Sequence, residues 1–397
     1  MRKLTLRYKN VLLYRSRKAM LAKRRLGRSK RLLVDVWYGG EVEQVYCLEA
    51  PQVPPEVLCL DKNTLGSLRF LADWRHRMLT HKDWDTLDDV KWINDAKRPG
   101  GMRSIQYYAD FSGIKELSTA VALILTAEYD RLGTLVNDVP PTVELDKWPK
   151  HLFRQLFEIG FFEILKLSED VADRYRTSGS KKTMRIIAGS TSEEIEVVSS
   201  RIKELYQFIE PEHGLGQELS VALNNALSEA MINVVKHAYP ADHKFTYRPI
   251  NKWWVTASAD VDKRELTVVF YDQGVTIPIT FPRRKISDRT RDFINKLLTS
   301  RGKFDFENDG TYLAGAMQKG STQTDEEHRG LGLAEMKELI DICGHGSLRV
   351  FSRGGEYRYD AGSQIVSRSR RLSIGGTLFE WTLRIPQEQL DEGRNSA

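Results

Sequence analysis

Glu229 and Asn233 stand four residues apart in LSEAMINVVKHAYP, residues 227–240, so on a helix they share one face a turn apart. Leu227, Met231 and Val234 are left for a core. A carboxylate beside a carboxamide can take a proton from a nucleophile while the amide oxygen serves as a hard ligand for Mg²⁺. Lys236 or His237, one turn on, can meet a phosphate. In VVFYDQGVTIP, residues 268–278, Asp272 ends a β-branched and aromatic strand, and Gly274 follows in a turn where backbone can approach something flat. A buried carboxylate at that place can accept a hydrogen bond from an amino group such as that of adenine. Gly330 and Gly332 precede a helix in HRGLGLAEMKELID, where N–H groups and the positive end of the helix can face anionic oxygens. Gly375-Gly376-Thr377 opens the last strand. Each piece alone also has a plain structural reading: an exposed Glu/Asn helix face, a turn capping a strand, glycines at a helix start. The run Gly179-Ser180-Lys181-Lys182-Thr183 is set aside as a phosphate loop, because it lacks the first glycine and the GK[ST] ending.

Positioning these residues requires a set of elements that hydrophobic periodicity supplies. Residues 184–188 read as a strand, 192–209 and 217–238 as helices, 253–261 and 266–271 as strands. A long polar stretch spans 281–329, a helix 331–343, and strands fall at 347–352, 356–359 and 377–385. That order predicts helices on one face of a mainly antiparallel sheet. Upstream, 31–48 reads as a hairpin about Gly39-Gly40, 65–81 as a helix, 105–111 as a buried strand, and 117–132 and 148–165 as helices. Strand alternating with helix suggests a small α/β domain. The resulting division is a basic arm at 1–31, an α/β domain at 32–172, a linker at 173–190, a second domain at 191–388 and a polar tail at 389–397.

The order Glu-x-x-x-Asn, Asp-x-Gly-x-x-Ile-Pro, Gly-Leu-Gly-Leu, Gly-Gly-Thr resembles the four nucleotide-binding boxes of the GHKL (histidine-kinase-like) ATPases, over about half of the chain. The resemblance implies an α+β C-terminal domain of the GHKL/Bergerat type, a mixed, mainly antiparallel sheet covered by helices on one face. It implies ATP and Mg²⁺ as cofactors, Glu229 as base or proton acceptor, Asn233 as the Mg²⁺ ligand, and Lys236 or His237 near phosphate. Asp272 would hold the adenine amino group, with Gly274 beside the base and Ile277 in the same binding set. Gly330 and Gly332 would lie against the phosphates, and Thr377 would support the adenine side. Residues 281–329 become a lid, with Lys319 and Arg329 as phosphate contacts.

Among such proteins the spacing looks closest to the anti-sigma-factor serine kinases. The helix at 192–209 has no histidine to accept a phosphoryl group, and the short stretch after the last strand argues against the gyrase type, whose following domain supplies a phosphate-sensing lysine, unless a partner supplies it. YYADFSGIKELSTAVALILTAEYDRL is similar to the STAS fold, the partner of those kinases, and makes the N-terminal domain STAS-like. Ser118 and Thr119 occupy the place phosphorylated in that family, although the spacing departs from its double-serine pattern and Ser118 is equally the cap of a helix. A GHKL regulator acting as a protein kinase or slow ATPase through protein–protein contacts is therefore the first expectation. A nucleotide-gated binding module without turnover is the alternative.

Bulk properties fit either. The 397 residues are 41% hydrophobic and 29% charged, an ordinary globular balance too long for one small core. No apolar run approaches the roughly 20 residues of a membrane helix. Three cysteines without paired spacing give neither a disulfide framework nor a zinc site, which suits the cytoplasm. The net charge of +6 is concentrated in residues 1–31, before the first acid at Asp35, and the remainder is slightly acidic. Such an arm can neutralise nucleic-acid phosphates, dock a protein, or be a solvated face. A homodimer, the commonest assembly, stays open.

Overall fold

The computed structural model describes residues 32–79, 92–96, 100–168, 179–283, 288–298, 305–318, 333 and 336–386. Strands β1 (Leu32–Tyr38) and β2 (Glu41–Cys47) form the expected hairpin, with Gly39 at a φ of 62° in its turn. Short strands follow: β3 (Val57–Leu58), β4 (Ile93–Asn94), β5 (Ser104–Ile105), β6 (Glu116–Leu117) and β7 (Thr142–Val143). They make a sheet ordered β4-β5-β2-β1-β7 and a separate β3-β6 pair. The strand expected over 105–111 stops at Ile105. Beyond it the chain makes a single bridge from Ala109 to Gln52, then turns at Phe111–Gly113, where Asp110 accepts from the Ser112 N–H at 3.1 Å.

Helices α1 (Thr64–Leu79) and α2 (Thr119–Val136) carry the N-terminal core. The expected helix at 148–165 is broken into α3 (Lys150–Glu158) and α4 (Phe161–Ile164) by Gly160, whose φ of 88° suits a residue without Cβ. Ser118 caps α2 by accepting from the Val121 N–H at 3.3 Å, the ordinary use of serine there. Nearly every residue of α2 from Thr119 to Leu132 is buried. A helix buried on nearly every side must lie between two layers, and α2 does.

Its second layer is the larger sheet. Strands β8 (Lys181–Thr183), β9 (Ile187–Gly189), β10 (Trp253–Asp260), β11 (Glu265–Asp272), β12 (Gly346–Ser352), β13 (Gly355–Asp360), β14 (Val366–Ser369) and β15 (Thr377–Arg384) are ordered β14-β13-β12-β15-β11-β10-β8, with β9 also on β10. Residues 181–183 and 187–189, within the stretch read as linker, thus pair with β10. Every strand pair described in this sheet is antiparallel, where the family resemblance implied a mixed one.

Strand alternation separates two cores. Trp253, Val255, Phe270, Phe379 and Trp381 join the core beneath helices α5 (Ile195–Tyr206) and α6 (Gln217–Asn233). Trp254, Val269, Tyr271, Phe351 and Leu378 join the N-terminal core on the opposite face. The helices of the C-terminal half thus lie on one face of this sheet, as expected, and the second apolar face is covered by α2 of the N-terminal half. Three polar ties fix α2 there. The Thr119 and Ser258 hydroxyls are hydrogen-bonded at 2.7 Å, Trp254 Nε1 donates to Asp130 Oδ2 at 2.8 Å, and the Tyr271 hydroxyl lies 3.3 Å from Glu128 Oε1.

Helix α7 (Ile277–Thr280) directly precedes the long polar stretch, which contains α8 (Asp288–Leu297) and α9 (Asp309–Ala316). Helix α9 is anchored on the sheet edge by the Gly354 N–H donating to Asp309 Oδ2 at 2.9 Å and by an Arg353–Asp309 ion pair at 3.0 Å. Helix α10 (Glu338–Cys343) ends at Gly344, φ 71°, and packs against α6.

Candidate functional site

Helix α6 runs with α-helical bonding only to Asn233 and then widens into a π-turn, Val234–Ala238. Such turns cluster at functional sites because they rotate the side chains that follow them. Val275 N–H donates to the Ala238 carbonyl at 2.6 Å, which ties this helix end to the turn after β11. A Cβ on Gly274 would overlap Ala238, so the glycine is what lets the two segments meet. Gly274 thus serves this helix–strand contact and is absent from the lining of the adjoining cavity.

That cavity brings together Asn233, His237, Asp272, Ile277 and Thr377, five of the residues singled out by sequence. Asp272 and Thr377 are paired across β11 and β15. The approach there is close enough that a Cβ on Gly376 would overlap the Asp272 carbonyl oxygen. Glu229 lies one turn back on α6 and receives the Asn233 carboxamide: Nδ2 donates to Glu229 Oε1 at 2.8 Å and to its carbonyl at 2.9 Å. Lys236 is exposed on the π-turn and is not in the lining. Lys319, Arg329, Gly330 and Gly332 lie outside the described residues, as do the arm at 1–31 and the tail at 389–397.

The electrostatics centre on Asp272. Burial pushes its carboxyl up to about 7, opposed by the Gly274 N–H, which donates to Oδ1 at 2.8 Å. A carboxylate so placed is short of donors and favours a ligand that brings one. Ser352 is a participant that sequence inspection missed. Its hydroxyl accepts from the Ile277 N–H at 2.9 Å and is hydrogen-bonded to Thr377 Oγ1 at 2.9 Å, so it joins the start of α7 to the Gly-Gly-Thr strand. A serine closing a strand carries no signal of its own. Phe281 and Leu333 complete the lining, and the cavity holds only about 40 Å³. That is room for water and not for a purine, so a ring enters only when side chains of this segment move. The donor-poor carboxylate, the carboxamide oxygen and the paired Thr377 fit an amino-bearing base and a hard cation.

The chain matches no curated protein. The family model of the histidine kinase-like ATPase domain matches residues 191–350, from just before α5 into β12, and so takes in Glu229, Asn233 and Asp272. Residues 191–350 of this chain therefore carry a histidine kinase-like ATPase domain of the GHKL type.

Proposed function

We propose that this domain binds ATP with Mg²⁺ and acts as a regulatory switch, turning the nucleotide over as a slow ATPase or as a serine/threonine kinase and signalling through a protein partner. The observation that carries the reading is the buried Asp272 carboxyl, raised to about 7 and met by a single backbone donor. An adenine amino group is a donor of the kind it lacks. Asn233 commits its N–H groups to Glu229, which makes its amide oxygen the atom to offer a cation. Glu229, oriented by the same contact, is the group to accept a proton from the attacking nucleophile. Bound Mg²⁺ and ATP supply the phosphoryl group and neutralise its charge.

The kinase version takes its analogy from the anti-sigma-factor kinases and places the protein in the cytoplasm. The N-terminal half, with its STAS-like pattern, is then a regulatory partner built into the chain. Thr119 is buried against Ser258 in this arrangement and Ser118 caps α2, so phosphorylation at Thr119 would require the two halves to part.

Calorimetric titration with Mg²⁺ and ATP, followed by a radiolabel assay on the same samples, tests the reading. Binding weakened in Asp272→Asn, with label transferred or phosphate released only when Glu229 is present, supports an enzyme. Tight binding without turnover leaves a nucleotide-gated module. Wild-type affinity in Asp272→Asn removes the adenine assignment.

A further inference from the structure

Successive carbonyls lead into the Gly-Gly-Thr segment, and each meets a side-chain donor. Arg75, on α1, reaches across from the N-terminal half: Nη1 donates to the Ser373 carbonyl at 3.5 Å and Nη2 to the Ile374 carbonyl. The Gly375 carbonyl accepts from the Tyr271 hydroxyl at 3.4 Å. The turn also closes on itself, since the Gly375 N–H donates to Ser373 Oγ at 3.0 Å. Gly375 has a φ of 94°, and a Cβ on it would collide with the Arg75 guanidinium. The glycine makes the turn and leaves room for the arginine.

Two residues further on, Thr377 lines the cavity with Asp272 and is its partner across β11 and β15. Gly376, between turn and threonine, lies against the Asp272 carbonyl with no room for a Cβ. A shift of the turn is therefore passed directly to Thr377. Arg75 is 2% exposed, and its Nε donates to Glu128 Oε1 at 2.6 Å, so the planar fork is fixed from both sides. A lysine can keep the ion pair with Glu128, but its single nitrogen cannot also span both carbonyls.

We propose that Arg75 is a positioning residue for the nucleotide site. Through this guanidinium the N-terminal half sets where Thr377 stands beside Asp272, and so sets the affinity for nucleotide. The inference rests on the assignment of that site to ATP. It makes the N-terminal half a regulator of the site it backs. Whatever loosens α1 from the turn at 373–375 weakens nucleotide binding, and bound nucleotide in turn favours the docked halves, because such coupling is reciprocal.

Calorimetric titration of the full-length protein with Mg²⁺ and ATP tests this in the wild type, Arg75→Lys and Leu152→Ala. Leu152 is buried in the N-terminal core on α3 and controls for general destabilisation. At a temperature where all three are folded, Arg75→Lys should bind ATP about threefold to tenfold more weakly, as expected for one lost hydrogen bond, with the number of sites unchanged. Leu152→Ala should bind as the wild type does. In a turnover assay KM for ATP should rise in Arg75→Lys while kcat holds, because Glu229 and Asn233 stand on α6 and not on the turn. A second measurement needs no variant: Mg²⁺ and ATP should slow amide exchange in α1 together with that in β15. Wild-type affinity in Arg75→Lys at any number of sites, an equal loss in Leu152→Ala, or no slowing in α1 would overturn the proposal and leave the ATP assignment standing. No binding to the wild type would overturn both.

Discussion

Tyr271 and Asp272 are consecutive on β11 and face opposite layers of the molecule. The Tyr271 hydroxyl sits 3.3 Å from Glu128 Oε1 and 3.4 Å from the Gly375 carbonyl oxygen, on the N-terminal side. The Asp272 carboxyl lines the cavity beneath α6. Arg75 of α1 completes the N-terminal side. Its Nε donates to Glu128 Oε1 at 2.6 Å and its guanidinium also reaches the Ile374 carbonyl, while Arg131 pairs with the other Glu128 oxygen. Burial opposes the charge on Glu128, yet Arg131 and Arg75 outweigh it and hold the carboxyl below its usual range. The two segments flanking the candidate nucleotide site, β11 and the Gly-Gly-Thr entry to β15, are therefore held from behind by one buried ionic cluster.

Removing one member of that cluster strands the others. Glu128→Gln leaves two arginines without a counter-charge at positions that are 2–3% exposed, and breaking a buried ion pair this way costs roughly 3–5 kcal/mol. Tyr271→Phe loses only a long, shared hydrogen bond and should cost about 1 kcal/mol. Urea unfolding of both variants measures the difference. A Glu128→Gln midpoint equal to that of the wild type would show that the cluster adds nothing to stability. Because the Glu128 pKa is depressed in the folded state, its stabilising contribution is complete above the unfolded carboxylate range and disappears as pH falls through the folded value.

Asp272 has the opposite sign. Its folded pKa of about 7 lies above the ordinary aspartate value of 3.8, so the protonated form is favoured by folding. This stabilisation is present below pH 3.8 and lost as pH rises through about 7. A ligand that donates to the carboxyl prefers the ionised form. ATP affinity should therefore rise with pH through about 7 and then level off, with a proton released on binding near neutrality. Calorimetry in buffers of different ionisation enthalpy detects that proton. Asp272→Asn should abolish both the release and the pH dependence; if they persist, the titrating group is elsewhere.

Gly376 tests how tightly β11 and β15 must approach. A Cβ there would overlap the Asp272 backbone oxygen, an atom that cannot swing aside as a side chain would. Gly376→Ala should destabilise by about 1–3 kcal/mol, towards the upper end of that range, and weaken nucleotide binding by shifting the Asp272–Thr377 pair. Thermal unfolding and an ATP titration of this variant provide the check, and a wild-type result in both would show that the strands have slack.

Much of this site could be read from sequence because its pieces lie within strongly periodic elements. Asn233 and Glu229 share a face of a helix whose apolar positions are unmistakable, and Asp272 ends a strand of Val, Phe and Tyr. The layer behind the sheet was illegible for a physical reason. Trp254, Val269, Tyr271 and Leu378 have strand character whichever surface covers them, so nothing in β10, β11 or β15 announces that α2 lies there. The apolar run Ala120–Leu125 at the start of α2 held a clue, since turns without a polar side need cover on two sides, but it did not name the partner layer. Ser352 was hidden because its role depends on Ile277 and Thr377 meeting in space.

Ser352 gives the last prediction. Its hydroxyl is the acceptor for the Ile277 N–H and the partner of Thr377 Oγ1, and the residue is fully buried. Ser352→Ala leaves the Ile277 N–H without that acceptor, at a cost of about 1–3 kcal/mol, and frees the start of α7, where the segment bearing Phe281 begins. The cavity and α7 are then coupled through one hydroxyl. Ser352→Ala should weaken ATP binding severalfold, and Ser352→Thr, which keeps the hydroxyl, should restore part of it if the extra methyl is accommodated. Loss of stability with unchanged affinity in Ser352→Ala would confine the serine to a structural role and separate α7 from nucleotide entry.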